Sequence, residues 1–172
     1  MTRWILCILA FSASGCTASY NTEHLSGDQS VTLDPEKAVY IAVPRDGSYG
    51  NTVYNGSGQT TAQSVSIAFS RHAAQVSLAD EYGARNDVIE LARSEGASYL
   101  VWPVITHWEQ RATAWSGLPS RMAIRVTVIN LETETQLTSS IIEGRSRIMS
   151  MTNTHPESLL RDPLRAYVNS IY

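Results

Sequence analysis

Between Ala97 and Trp108 the chain reads ASYLVWPVITHW, apolar on both alternating faces as far as Ile105. A strand of that kind has no side to give to water, so it belongs in the middle of a sheet. Pro103 interrupts it, and because proline cannot donate to a ladder, a bulge or bend is expected there. The next run, Arg121 to Leu131 (RMAIRVTVINL), has a different rhythm. Met122, Ile124, Val126 and Val128 alternate with polar Arg121, Arg125 and Thr127, as in a strand with one buried face. A turn at Glu132 to Gln136 leads into a further strand region, Leu137 to Met149. Together the three form a meander.

Upstream, Ala38 to Val43 is a continuous apolar run stopped by Pro44, which reads as another buried strand. Arg45 to Gly58 is rich in Gly, Asn, Ser and Tyr and reads as a loop. Its end, Gly56-Ser57-Gly58-Gln59-Thr60-Thr61, has glycines but lacks the lysine and the spacing of a phosphate-binding loop. Thr60 followed by Gln63 fits a capping box that opens a helix with Val65, Ala68, Phe69 and His72 on one stripe. Ala74 to Ala79 is a short strand. A second helix is expected from Asp87, with Glu90 completing its cap and Val88, Leu91 and Ala92 as its apolar positions. Gly96 ends it. A last helix is expected over Pro163 to Ile171, capped by Asp162, with Leu164, Tyr167, Val168 and Ile171 on one stripe. The order β-α-β-α-β-β-β-α implies an α/β (α+β) domain over residues 37–172, a single mixed β-sheet with helices packed on it.

The amino-terminal stretch carries an address. Arg3 precedes an apolar run, Trp4 to Phe11, which is too short for the roughly 20 residues of a membrane-spanning helix. Small residues follow, then Cys16. Ala13-Ser14-Gly15-Cys16 resembles the lipobox of bacterial lipoproteins, although Ala13 stands where Leu is commoner. The resemblance implies a signal peptide over residues 1–15, removal before Cys16, and a lipid anchor on that cysteine, with acyl chains sufficient for stable membrane attachment. Thr17 in place of an aspartate implies the outer membrane, facing the periplasm. Residues 16–36 are polar and without period, and are expected to act as a flexible tether.

Cleavage would remove Cys7 and acylation would occupy Cys16, the two cysteines of the chain, leaving no free thiol. Disulfides, thiolate catalysis and cysteine metal sites are thereby excluded. The remaining chain has 12 basic and 16 acidic residues, a net of −4, so a nucleic-acid footprint is absent.

The segment Glu95-Gly96-Ala97-Ser98-Tyr99-Leu100-Val101 resembles the periplasmic core shared by the curli-secretion lipoprotein, the lipoprotein activators of peptidoglycan synthases and the amino-terminal domain of the Tol translocation protein. The lipobox, Asn55 to Thr61, Ala68-Phe69-Ser70 and the Tyr99 strand together are similar to a family of short proteobacterial lipoproteins of unassigned function. That resemblance spans most of the chain. It implies an envelope lipoprotein and supplies no activity.

Catalytic patterns are missing: there is no metal-binding histidine spacing and no nucleophile elbow, and His24, His72, His107 and His155 fall in different elements. His107 and Glu109 share a strand face, spaced i, i+2, a pair capable of acid–base work or of binding a metal with help, but more commonly just a polar pair on a sheet surface. No enzyme and no cofactor is expected. The functional signal is aromatic. Trp108 and Trp115 flank a polar stretch containing Arg111, and Tyr49 and Tyr54 lie in the Gly-rich loop; such residues with Arg favour interfaces. Trp108, Trp115, Arg111, Tyr49 and Tyr54 are therefore candidate partner-binding residues. The expectation is a non-catalytic adaptor for another envelope protein. The alternative is a binding domain for glycan, peptidoglycan fragments or another small ligand. Open sheet edges also leave room for self-association.

Overall fold

A computed structural model describes residues 19–110, 119–146 and 158–172. Eight strands and three helices follow in the order β1 (Ser19–Gly27), β2 (Val39–Ile41), β3 (Ser48–Tyr49), β4 (Thr52–Val53), α1 (Ser57–Phe69), β5 (Val76–Leu78), α2 (Arg85–Ser94), β6 (Tyr99–Glu109), β7 (Arg121–Asn130), β8 (Thr135–Arg145) and α3 (Ser158–Ser170). Six strands make one mixed sheet ordered β1-β8-β7-β6-β2-β5, and β3 with β4 makes a small hairpin. Strand β2 runs parallel to β5 and β6, whereas β6, β7, β8 and β1 are antiparallel neighbours. The mixed α/β sheet and the meander are as the sequence implies.

The two crossovers, β2 to β5 through α1 and β5 to β6 through α2, run in opposite directions along the sheet. With right-handed connections this sends their helices to opposite faces. Helices α1 and α3 pack together on one face. Helix α2 lies on the other, its first residue Arg85 beside Trp102, Val104, Arg125, Thr127 and Ile129. Val39, Tyr40 and Ile41 of β2 are accordingly all buried.

Several local expectations are corrected. The polar segment read as a tether contains β1, which pairs along its length with β8. Pairing exchanges backbone hydrogen bonds without burying side chains, and the strand's residues are almost all exposed, so hydrophobic pattern gave no sign of it. The Arg45 to Gly58 loop holds the β3–β4 hairpin. Register runs unbroken through Pro103, opposite Val126, and the irregularity falls between Ile105 and His107. The Ala42 N–H donates to the Val101 carbonyl, so Val101 and, two residues on, Pro103 direct their backbone polar groups toward the β2 side. Strand β2 has ended there, and the proline's missing donor costs no ladder bond.

Helix α1 starts three residues before Thr60, which sits inside it and donates from its hydroxyl to the Gly56 carbonyl. Helix α2 starts at Arg85 without a side-chain cap, ahead of Asp87, and its Leu91 is exposed. It ends as expected at Gly96, whose left-handed φ of 77° lets Gly96 N–H bond Arg93 and Ala97 N–H bond the Ala92 carbonyl. Helix α3 begins at Ser158, placing Asp162 and Pro163 within it. Its stripe Leu160, Leu164, Tyr167, Val168 and Ile171 is buried, together with Phe69 of α1 and Ile124, Val126, Val128 and Ile142 of the sheet.

Candidate functional site

Antiparallel pairing fixes which side chains share a face. On β7, Met122, Ile124, Val126 and Val128 turn to α1 and α3, each with at most 1% of its surface exposed. Arg121, Ala123, Arg125, Thr127 and Ile129 turn the other way. That second face has α2 over its β2 side only, and across β7, β8 and β1 no described helix covers it. At its end, register aligns one row across four strands: Glu109, Arg121, Arg145 and Ser19. The next row is His107, Ala123, Glu143 and Asn21. Apart from buried Glu109, the residues of these two rows line a cavity of about 540 Å³ together with Thr106 and Ile141.

Arg121 and Arg145 are direct cross-strand partners on this face. Like charges placed opposite one another in a sheet repel. Among the described residues neither guanidinium forms an ion pair or a side-chain hydrogen bond. Glu109, the neighbour of Arg121 on β6, is buried, and its Oε2 lies 3.3 Å from His107 Nε2. Tyr49 of the β3–β4 hairpin meets the His107 ring edge-on, with centroids 5.5 Å apart. The hairpin thus stands at the same end of the sheet as the arginine pair. His107 and Glu109 do come together as their strand spacing implies.

The aromatic candidates fare unevenly. Trp108 is not a surface residue: it faces α1 and α3 opposite Met122 and is 4% exposed. Gly47 lies so close that a Cβ there would fall 2.7 Å from the Trp108 Cβ, and Tyr54 tilts against the indole at 6.4 Å. Trp108 and Tyr54 therefore serve packing, because the bulge before His107 turns residue 108 inward. Tyr49 stays 41% exposed. Arg111, Trp115, Cys16 and His155 lie outside the described residues. His72 sits just past α1, stacked on Tyr172 at 5.1 Å and hydrogen-bonded to Asn169 at 2.8 Å. His24 lies in β1 and reaches its own strand's end at Gly27 O.

The glycine-rich turn before α1 does hold an anion, and it is the protein's own. Asp46 accepts from the Gly58 N–H at 2.8 Å and the Gly56 N–H at 3.1 Å. A carboxylate at a helix amino terminus satisfies free donors and opposes the dipole. Gly58 is required by space, since a Cβ would fall 2.2 Å from the Pro44 carbonyl oxygen. Asp46 thus takes donors that a bound phosphate would need.

Among the described residues no three His, Cys, Asp or Glu side chains gather to hold a metal ion, and no helix is long and apolar enough to cross a membrane. The strong titration effects belong to the core: burial pushes the Tyr167 phenol up to about 12, with nearby Ser140 and Thr138 hydroxyls pulling the other way, and burial pushes Tyr172 up to about 12 as well. The arginine pair escaped the sequence reading. Arg121 and Arg145 are 24 positions apart in the chain and look like ordinary polar positions of two strands; only the register joins them.

Fold and site together define a mixed-sheet α/β domain with one arginine-bearing face that, among the described residues, no helix covers beyond β6. The family model for the domain of unknown function DUF4823 matches residues 31–171, so the chain belongs to that family. No curated protein matches it. Among solved structures, it is similar to a singly substituted PelC dodecamer from Paraburkholderia phytofirmans, at 16% identity and TM-score 0.63 over 87% of this chain and 96% of that one. It is also similar to the hypothetical protein CT253 from Chlamydia trachomatis, at 11% identity and TM-score 0.52 over 79% and 98%. Lipoprotein GNA1162 from Neisseria meningitidis aligns at 15% identity and TM-score 0.47 over 79% and 98%. At such identities the shared property is the fold.

Proposed function

We propose that this protein is a lipid-anchored lipoprotein of the bacterial envelope, held by acyl chains on Cys16 at the outer membrane and facing the periplasm. There it acts as a non-catalytic adaptor that contacts another envelope protein. The observation that carries the reading is the uncovered sheet face. Arg85 and Arg125, with half-exposed Trp102 and Val104, line a shallow depression of about 290 Å³ on it. Arginine and aromatic residues are enriched where partners bind. The lipobox resemblance supports the anchor.

In-cell photo-crosslinking from position 125, with position 67 on the exposed side of α1 as control, tests this. A discrete protein adduct at Arg125 that disappears with Cys16→Ser is expected. An adduct at twice the chain's mass would identify the partner as a second copy, in keeping with the dodecamer formed by PelC. No protein adduct at position 125, together with saturable heat on titrating muropeptides into the purified protein, would replace the adaptor with a glycan-binding domain.

A further inference from the structure

We propose that the end of the sheet carrying Ser19, Arg121 and Arg145 docks on the membrane surface, with the arginine pair taking a phosphate of an anionic lipid headgroup. The proposal rests on the anchor reading above and deepens it. A flexible tether over residues 16–36 would have let the domain stand far from the bilayer. Because β1 instead begins at Ser19, only three Cα steps separate it from Cys16, at most about 11 Å. Ser19 is the register partner of Arg145, and Arg145 of Arg121. The lipid anchor therefore holds this end of the sheet, and no other, within reach of the headgroups.

Three independent features of that end suit the interface. The first is the guanidinium pair, two neighbouring like charges without an ion-pair partner among the described residues, open to a 540 Å³ cavity. A phosphate bridging both would relieve their repulsion through charge-assisted hydrogen bonds. The second is the exposed apolar rim: Tyr20 beside Ser19 is 58% exposed, and Tyr49 and Val53 of the hairpin are 41% and 58% exposed. Tyrosine favours the headgroup level, where one end of the ring is dry and the other wet. The third is charge. Among the residues that line the cavity, two arginines stand against the single carboxylate of Glu143, an excess of positive charge on a chain of net −3. Anionic leaflets attract such basic groups at short range.

The test uses the lipidated chain in vesicles. Once Cys16 is acylated, a single introduced cysteine is a unique labelling site. A fluorophore at Thr22→Cys, on β1 near Ser19, is compared with one at Ile67→Cys while nitroxide-headgroup lipids quench. In vesicles with ~30 mol% phosphatidylglycerol, quenching at position 22 should exceed that at 67 at least twofold. Arg121→Gln with Arg145→Gln, or pure phosphatidylcholine, should remove most of that excess, with an unchanged circular dichroism spectrum. Equal quenching at both positions, or an excess indifferent to lipid charge and to the arginines, overturns the proposal. A mass showing Cys16 without acyl chains sinks the anchor reading, and the docking proposal with it.

Discussion

The two halves of the sheet are built to different rules. In the parallel half, β2 lies between β5 and β6, helices cover both faces, and Val39, Tyr40 and Ile41 are buried without exception. In the antiparallel half, β7, β8 and β1 lean on α1 and α3 from one side and leave the other to arginines, threonines and serines. Strand β6 belongs to both. Leu100 faces α2's side and is wholly buried, whereas Val104, four residues on and on the same face, is half-exposed. One strand thus passes from a place where burial decides the sequence to one where it does not. The contacts proposed above both fall on the antiparallel half, where the described residues leave one face open.

The sharpest way to break that comparison is along β6 itself. Leu100→Ala should cost about 3–4 kcal/mol, because a fully buried leucine leaves a cavity that rigid neighbours on both sides cannot fill. Val104→Ala should cost about 1 kcal/mol or less, water already reaching the site. Equal losses in urea unfolding would mean that the second face is covered as thoroughly at Val104 as at Leu100, and the distinction would fall.

That division explains what could be read in advance. Wherever burial writes a pattern, the sequence was legible: the two-sided apolar run of β6, the alternation of β7, the stripe of α3 and the glycine ending α2. Where backbone pairing alone makes the structure, it was not. Strand β1 buries almost nothing and looked like a tether. The helix starts were missed for a related reason: the cap of α1 comes from Asp46, eleven residues before the helix begins, and not from the local Thr60 and Gln63. Trp108 misled because its composition suggests an interface while an irregularity in register, invisible beforehand, turns it into the core. The arginine pair needs two strands set in register before it exists.

A second prediction concerns the covered side. Tyr167 of α3 is 4% exposed, and burial holds its phenol protonated up to about 12, against the ordinary value of 10. Between these values the folded chain keeps a proton that the unfolded chain releases, so stability falls as pH rises from 10 through 12. The loss from this phenol should be on the order of 2 kcal/mol by pH 12, and Tyr167→Phe should remove that share while the share of Tyr172, raised in the same way, remains. An unchanged alkaline slope in that variant would show that the phenol is not sequestered by the α3–sheet packing.

The smallest effect has the opposite sign and bears most directly on function. If the open face were selected for stability, removing either member of the Arg121–Arg145 pair would weaken the fold. Like charges in direct cross-strand register repel, so Arg121→Gln should instead leave stability unchanged or raise it, by about 0.2–1 kcal/mol at low salt. The gain should fade as ionic strength screens exposed charges. A loss above about 1 kcal/mol would reveal a structural partner for Arg121 and remove the case for a ligand between the two guanidiniums. A gain would mean that the chain keeps, at a cost to its own folding, two like charges side by side, as a site for an outside anion requires.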